Sequence, residues 1–102
     1  MSRLFEPLVQ RGVRLRNRLG VSPMCTYSAD AMDGRPTPWH VAHLGARAIG
    51  GFGLVIAEAT AVEPRGRITP QDLGLWSDAQ VDAWRPVTAA VTAAGAVPGV
   101  QL

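Results

Sequence analysis

Leu19-Gly20-Val21-Ser22-Pro23-Met24-Cys25-Thr26-Tyr27 is a short apolar run that halts at a proline and then presents a thiol and a phenol two residues apart. Its length suits a strand, and Gly20 and Pro23 argue against a helix. In α/β proteins the residues just past the carboxyl end of a parallel strand line the ligand crevice. Cys25 and Tyr27 stand at that place. A lone cysteine is more commonly a small buried hydrophobe than a working group, so the residues by themselves leave both roles open.

Upstream, Leu8-Val9-Gln10 and Val13-Arg14-Leu15-Arg16 are extended pieces separated by Arg11-Gly12, a tight-turn signal. They predict a β-hairpin over residues 1–18, with Arg11, Arg14, Arg16 and Arg18 on its wet side. Downstream, residues 28–36 read as a loop, and Thr37-Pro38 opens a helix, Thr37 as its cap and Pro38 at its first position. Trp39, Ala42, His43, Ala46 and Ile49 recur at helical spacing and predict the buried face. Gly50-Gly51 ends the helix. Residues 53–59 are apolar without alternation, as a strand covered on both faces requires.

Residues 63–75, with Pro64, Gly66, Pro70 and Gly74, read as a long loop of the functional or self-packed kind. Ser77-Asp78-Ala79-Gln80 is a capping box: the Ser77 oxygen is expected to take the Gln80 N–H, and the Gln80 side chain to reach back. Trp76 and Val81 occupy the positions of a hydrophobic staple. The helix so opened is expected to bury Val81, Trp84, Val87 or Thr88, Val91 and Ala94, and to kink at Pro86. After Gly95, residues 97–102 begin a third strand.

Strands alternating with helices mean a parallel sheet. The expected fold class is α/β: an N-terminal β-hairpin at 1–18, then, over 19–102, the first β-α-β-α-β units of a (β/α)8 TIM barrel, truncated. Such a barrel takes about 250 residues. Three parallel strands leave both sheet edges unpaired, so the remainder of the barrel is the expected partner.

Composition narrows the function. A chain of 102 residues that is 47% hydrophobic is a globular domain rather than a disordered tail. No apolar stretch approaches the roughly 20 residues that cross a bilayer, and Met-Ser-Arg-Leu-Phe-Glu-Pro is no signal peptide, so a cytoplasmic protein without membrane contact is expected. One cysteine makes no internal disulfide. All ten cations are arginine, which removes Schiff-base catalysis and the P-loop lysine within these residues. The arginines do not form the clustered patch of a nucleic-acid binder.

Several signals point to structure rather than chemistry. His40 and His43 are three apart on a helix but lack the further ligands zinc needs, so no metal is expected; they read as one packed and one surface histidine. Gly50-Gly51-Phe52-Gly53 closes a helix and precedes a strand, the reverse of a phosphate cradle. Glu58 ends a strand, where structural hydrogen bonding is favoured over a general-base role.

With the pieces placed, the sequence resembles the old yellow enzyme family of FMN-dependent ene-reductases, and within it the bacterial subgroup in which a cysteine stands beside the flavin. The stretches that carry the resemblance are Leu4-Phe5-Glu6-Pro7, Leu15-Arg16-Asn17-Arg18, Ser22-Pro23-Met24-Cys25-Thr26-Tyr27 and Trp39-His40-Val41-Ala42-His43. They continue with Glu58-Ala59-Thr60-Ala61-Val62, Gly66-Arg67-Ile68-Thr69-Pro70, Gly74-Leu75-Trp76-Ser77-Asp78 and Gly99-Val100-Gln101-Leu102. They run in order over essentially the whole chain.

The resemblance implies FMN as cofactor, NAD(P)H as reductant, and hydride delivery to a small-molecule activated alkene. It implies that Ser22, Pro23, Met24 and Cys25 line the flavin, that Ala59 touches the ring and that Gln101 bonds its pyrimidine edge. Cys25 would tune the flavin and Tyr27 would direct its hydroxyl at the substrate carbonyl. The oxygen-binding pair, the proton donor and the FMN phosphate site would come from later barrel strands, so these residues alone are expected to be inactive and the full-length enzyme to be a homo-oligomer. Two other readings stay open: a non-catalytic partial barrel that associates through its sheet edges, and another flavin barrel such as a dienoyl-CoA-reductase-like enzyme.

Overall fold

The computed structural model describes residues 2–102; Met1, where the expected hairpin unit begins, lies outside them. Strands β1 (Leu8–Gln10) and β2 (Val13–Leu15) pair antiparallel, Leu8 opposite Leu15. Arg11 at φ +48° and Gly12 at φ +81° make the turn between them, the left-handed pair that matches strand twist in a two-residue hairpin. β3 (Gly20–Val21), β4 (Leu54–Ala61), β5 (Leu73–Gly74) and β6 (Val97–Gln101) form a parallel sheet in which the other three all pair with β4. Helix α1 (Pro38–Ile49) lies between β3 and β4 in the chain, and α2 (Asp78–Ala93) between β5 and β6. The expected β-α-β-α-β order is thus observed with the short β5 added before α2, and the barrel is not closed. No helix of the described residues is long and apolar enough to cross a membrane.

The core lies between one face of the sheet and the two helices. Val55 and Ala57 from β4 meet Leu44 and Ala48 from α1 and Trp84, Val87 and Val91 from α2. Side chains as fully enclosed as Val55 and Val91 each contribute about 1.5–3 kcal/mol over an exposed position. Trp84 also donates its indole N–H to the Gly74 carbonyl at 3.1 Å, so its one polar atom is satisfied. On the opposite face of β4, Leu54 and Ile56 are half-exposed, which differs from a strand covered on both sides.

Local chemistry accounts for most element ends, with corrections. The first strand is not the whole run to Met24: only Gly20 and Val21 join the ladder. Pro23 has no N–H to give, and the tail beyond it finds its partner in a side chain. β4 runs on to Ala61, and residues 63–75 are not a bare loop: Pro64–Gly66 is a 3₁₀ turn and Leu73–Gly74 pairs with Thr60–Ala61.

The capping box expected at Ser77 is absent; Ser77 Oγ instead donates to Gln80 Oε1 at 2.6 Å, while Gln80 Nε2 donates to the Asp33 carbonyl at 2.9 Å. A reach-back cap forms at the other helix, where the Thr37 N–H donates to His40 Nδ1 at 2.9 Å. Trp76, expected to staple onto Val81, has its ring against Gly34 and Gly74 and under the Arg67 guanidinium, 5.3 Å from the ring centroid.

Two burial expectations also change. The inward face of α1 is His40, Leu44, Gly45 and Ala48, turned from the expected stripe; Trp39 and Ile49 face out. Gly45 faces Ala90 of α2, where an added Cβ would make an ordinary contact at 3.7 Å. In α2, Trp84, Val87 and Val91 are buried as expected, Gln80 replaces Val81, and the helix continues unbroken through Pro86. Finally, Arg16 is no wet-side arginine: its guanidinium donates to the carbonyls of Ala94, Ala48 and Phe52 at 2.7, 2.7 and 2.9 Å.

Candidate active site

Because β3, β4 and β6 are parallel, their carboxyl ends open on one side of the sheet. Ser22, Pro23, Met24, Cys25, Thr26 and Tyr27 follow β3; Ala59 lies near the end of β4; Gln101 is the last residue of β6. Ala59 is paired in register with Gln101. On the other flank, the Thr26 N–H donates to Glu58 Oε1 at 3.1 Å, and Thr26 Oγ1 lies 2.9 Å from Oε2. Thr26, the neighbour of Cys25, and Gln101 therefore reach adjacent residues of the central strand, Glu58 and Ala59. Cys25 is half-buried, Gln101 and Ser22 are exposed, and Met24 and Tyr27 are among the exposed apolar side chains.

Glu58 owes its direction to an irregularity in β4. Ala57 pairs with Val100 and Ala59 with Gln101, so Glu58 is an extra residue without a counterpart, a β-bulge. Ala57 and Glu58 are consequently both buried, where a regular strand would alternate. Glu58 is only 3% exposed. A buried carboxylate needs hydrogen bonds, and Thr26 supplies them from both its backbone and its hydroxyl.

The tail carrying these groups is held tightly. Ser28 Oγ donates to the Thr26 carbonyl at 3.0 Å, and the Trp39 indole N–H reaches Thr26 Oγ1 at 3.4 Å. Tyr27 sits at φ +53°, left-handed backbone that an aromatic residue adopts only when its neighbours enforce it. Trp39, at the start of α1, stacks on His43 with centroids 5.0 Å apart.

His40 is completely enclosed. Since a backbone N–H can only donate, the Thr37 bond makes Nδ1 the acceptor and leaves the proton on Nε2. That Nε2 is buried without a partner. Burial pushes the His40 imidazole below its ordinary range, partly offset by the Glu58 carboxylate. His43 is lowered too, by burial and then by Arg47. His40 is the expected packed histidine, while His43, expected at the surface, is half-buried against Trp39; among the described residues no cluster of three or more His, Cys, Asp or Glu could hold a metal.

Thr26 was not among the expected site residues, and Trp39, expected in the core, reaches the site instead. Glu58, expected to end its strand, lies inside β4; the signal for Thr26 is that a buried acid must meet donors, and the segment past the adjacent parallel strand is the nearest supply.

The family model described as NADH:flavin oxidoreductase / NADH oxidase matches residues 3–102. The chain is 48% identical over 100 residues to an NADPH dehydrogenase of Bacillus subtilis (strain 168), covering 98% of this chain and 30% of that protein. It is 49% identical over 102 residues to an NADPH dehydrogenase of Listeria monocytogenes, covering 100% and 30%. It thus spans about 30% of the length of these curated relatives.

Among solved structures, the old yellow enzyme homologue from Zymomonas mobilis superposes with TM-score 0.89 at 37% identity, covering 99% of this chain and 28% of that one. Morphinone reductase superposes with TM-score 0.87 at 34% identity, covering 97% and 25%. A 2-naphthoyl-CoA reductase at 22% identity and TM-score 0.93, covering 98% and 15%, shares the fold. The strands and helices correspond to the amino-terminal portion of the neighbours' barrels. FMN is the family's cofactor and NAD(P)H its reductant. This chain belongs to the NADH:flavin oxidoreductase / NADH oxidase family, that of the old yellow enzymes, and represents its opening β/α units.

Proposed function

We propose that these residues are the amino-terminal part of an FMN-dependent ene-reductase in which a cysteine stands beside the flavin. What supports the reading is that Thr26, next to Cys25, bonds Glu58 while Gln101 pairs with the adjacent Ala59 at one end of a parallel sheet. The residues there suit a flat, hydrogen-bonding ring. Ala59 presents only a methyl group to it, the Gln101 amide gives and accepts at once, and Ser22 through Cys25 carry no charge.

FMN, when bound, supplies hydride transfer between NAD(P)H and an alkene activated by a carbonyl. The work of this chain is binding and orientation. Ser22, Pro23, Met24 and Cys25 form one wall and Ala59 the floor, while Gln101 fixes the edge. The Cys25 thiol, a weak donor, tunes the cofactor rather than attacking substrate. Tyr27 holds its hydroxyl toward the substrate carbonyl.

The remainder of the barrel is the partner. An apolar cleft of about 370 Å³ lined by Leu44, Ala57, Trp84, Val91 and Val100 lies beside β6, and the far edge of that strand is unpaired. Covering both is the task of later units, which also supply the substrate-oxygen pair, the proton donor and the phosphate site; alone, these residues neither hold FMN tightly nor turn over. The test is a parallel titration with FMN of the full-length product and of residues 1–102, followed by NADPH oxidation with 2-cyclohexenone. Stoichiometric flavin and enone-dependent oxidation in the full-length product alone is the expected result. A full-length product that oxidises NADPH with no response to the enone removes the ene-reductase reading.

A further inference from the structure

We propose that Glu58 is the positioning residue of this site: the bulge in β4 turns its carboxylate onto Thr26, and through Thr26 it sets where Cys25 and Tyr27 point. The importance of that aim rests on the function proposed above; the clamp itself does not.

Four observations carry it. First, the segment from Ser22 to Tyr27 pairs with no strand, so the Thr26 N–H has the Glu58 carboxylate in place of a ladder carbonyl. Second, Thr26 engages both carboxylate oxygens, its hydroxyl lying 3.2 Å from Oε1 and 2.9 Å from Oε2. A threonine held at its N–H and its hydroxyl cannot rotate about either χ1 or its backbone without breaking a bond.

Third, the strain falls next to the clamp: Tyr27 is left-handed at φ +53°, and Ser28 locks the far side of Thr26 through its carbonyl. A costly backbone conformation persists only where the surroundings over-determine it. Fourth, the bulge itself is the means. A regular β4 would alternate Ala57, Glu58 and Ala59 across the sheet, and the extra residue re-aims a side chain at the site, the use for which bulges recur. Glu58 has no arginine partner among the described ion pairs, all of which are exposed. Its carboxylate oxygens are therefore met by Thr26, whose hydroxyl in turn accepts from the Trp39 indole.

A filler of the bulge would matter only to stability; a positioning residue must move Cys25. The direct test uses the flavin-free protein, well below its unfolding temperature. In Glu58→Ala, the Thr26 amide is expected to exchange its hydrogen faster, and Cys25 to react with iodoacetamide at a rate changed about tenfold. Glu58→Gln keeps an acceptor for the Thr26 N–H and is expected to restore both toward the parent. Thr26→Val, which deletes the hydroxyl while keeping shape, gives the intermediate value and decides the matter if Glu58→Ala does not fold.

In the flavin-loaded full-length protein, Glu58→Ala is expected to slow the enone step about tenfold to a hundredfold, the cost of misplacing Tyr27 by about 1 Å. Unchanged exchange and alkylation in folded Glu58→Ala, or in Thr26→Val should that be the variant that folds, overturns the proposal. Loss of the clamp signals in a protein that never binds FMN sustains the clamp and defeats the functional reading instead.

Discussion

Arg16 Nη1 donates to the carbonyl of Ala94 at 2.7 Å, joining the amino-terminal hairpin to the end of α2 across 78 residues of sequence. The other terminal nitrogen, Nη2, takes the carbonyls of Ala48 and Phe52, so one guanidinium closes the carboxyl ends of both helices. Cations are favoured at that pole of a helix, and its last carbonyls otherwise lack partners. Arg16→Ala should therefore lower unfolding free energy by about 2–4 kcal/mol, charged hydrogen bonds contributing about 1.5–3 each. Arg16→Lys, with one nitrogen in place of the fork, should recover only part. Urea unfolding measures both, and a loss under 0.5 kcal/mol would contradict the double cap.

Gly95 shares this contact. It sits at φ +94°, and a Cβ there would strike the Arg16 guanidinium. Gly95→Ala should cost about 1–3 kcal/mol through strain and displacement together. In the Arg16→Ala background the cost should shrink to the strain alone, so a double-mutant cycle separates the two causes.

The histidines make stability depend on pH. His40 and His43 both have folded-state values below the ordinary 6.5, so the unfolded chain takes up protons first. Stability is full above pH 6.5 and declines as pH falls from there toward the lowered folded values. His40→Asn, whose side-chain oxygen can accept the Thr37 N–H, should flatten this slope, His43 leaving a residue of it. Urea midpoints between pH 5 and pH 8 provide the measurement, and an unaltered slope would remove His40 as its source.

Trp76 depends on two glycines. A Cβ on Gly74 would enter its ring, and one on Gly34, itself at φ +73°, would approach Trp76 Cη2 to 2.5 Å. Gly74→Ala should destabilise by about 1–3 kcal/mol as an overpacked contact does and shift tryptophan emission. Emission and melting temperature both equal to the parent would show that the ring moves freely.

Tyr27 should show a trade of stability against function. Asparagine tolerates left-handed backbone better than an aromatic residue does, so Tyr27→Asn should gain up to about 1 kcal/mol while enone turnover in the full-length protein falls. A variant both less stable and fully active would mean that neither the strain nor the hydroxyl matters.

The sequence was sufficient wherever the deciding chemistry was local. The Arg11-Gly12 turn, the Thr37-Pro38 start, the Gly50-Gly51 stop and the apolar runs at 19–24 and 53–59 mark their elements, though not the strands' ends, because each depends on φ preference, a missing N–H or side-chain period within a few residues. The strand-end position of Cys25, Ala59 and Gln101 follows from element order, since parallel strands put all their carboxyl ends on one side. The quoted motifs, which run the length of the chain, led to the family.

Tertiary structure alone decided which groups meet. The face α1 buries was set by β4 and α2, which favoured Leu44, Gly45 and Ala48 over Trp39 and Ile49. Arg16 looked like one more surface cation, because no local pattern announces carbonyls 32 to 78 residues away. Glu58 gained its role from a one-residue mismatch between β4 and β6, which exists only once both strands are paired. Turns and periods are properties of neighbours in the chain; a bulge, a buried charge and its donors are properties of neighbours in space.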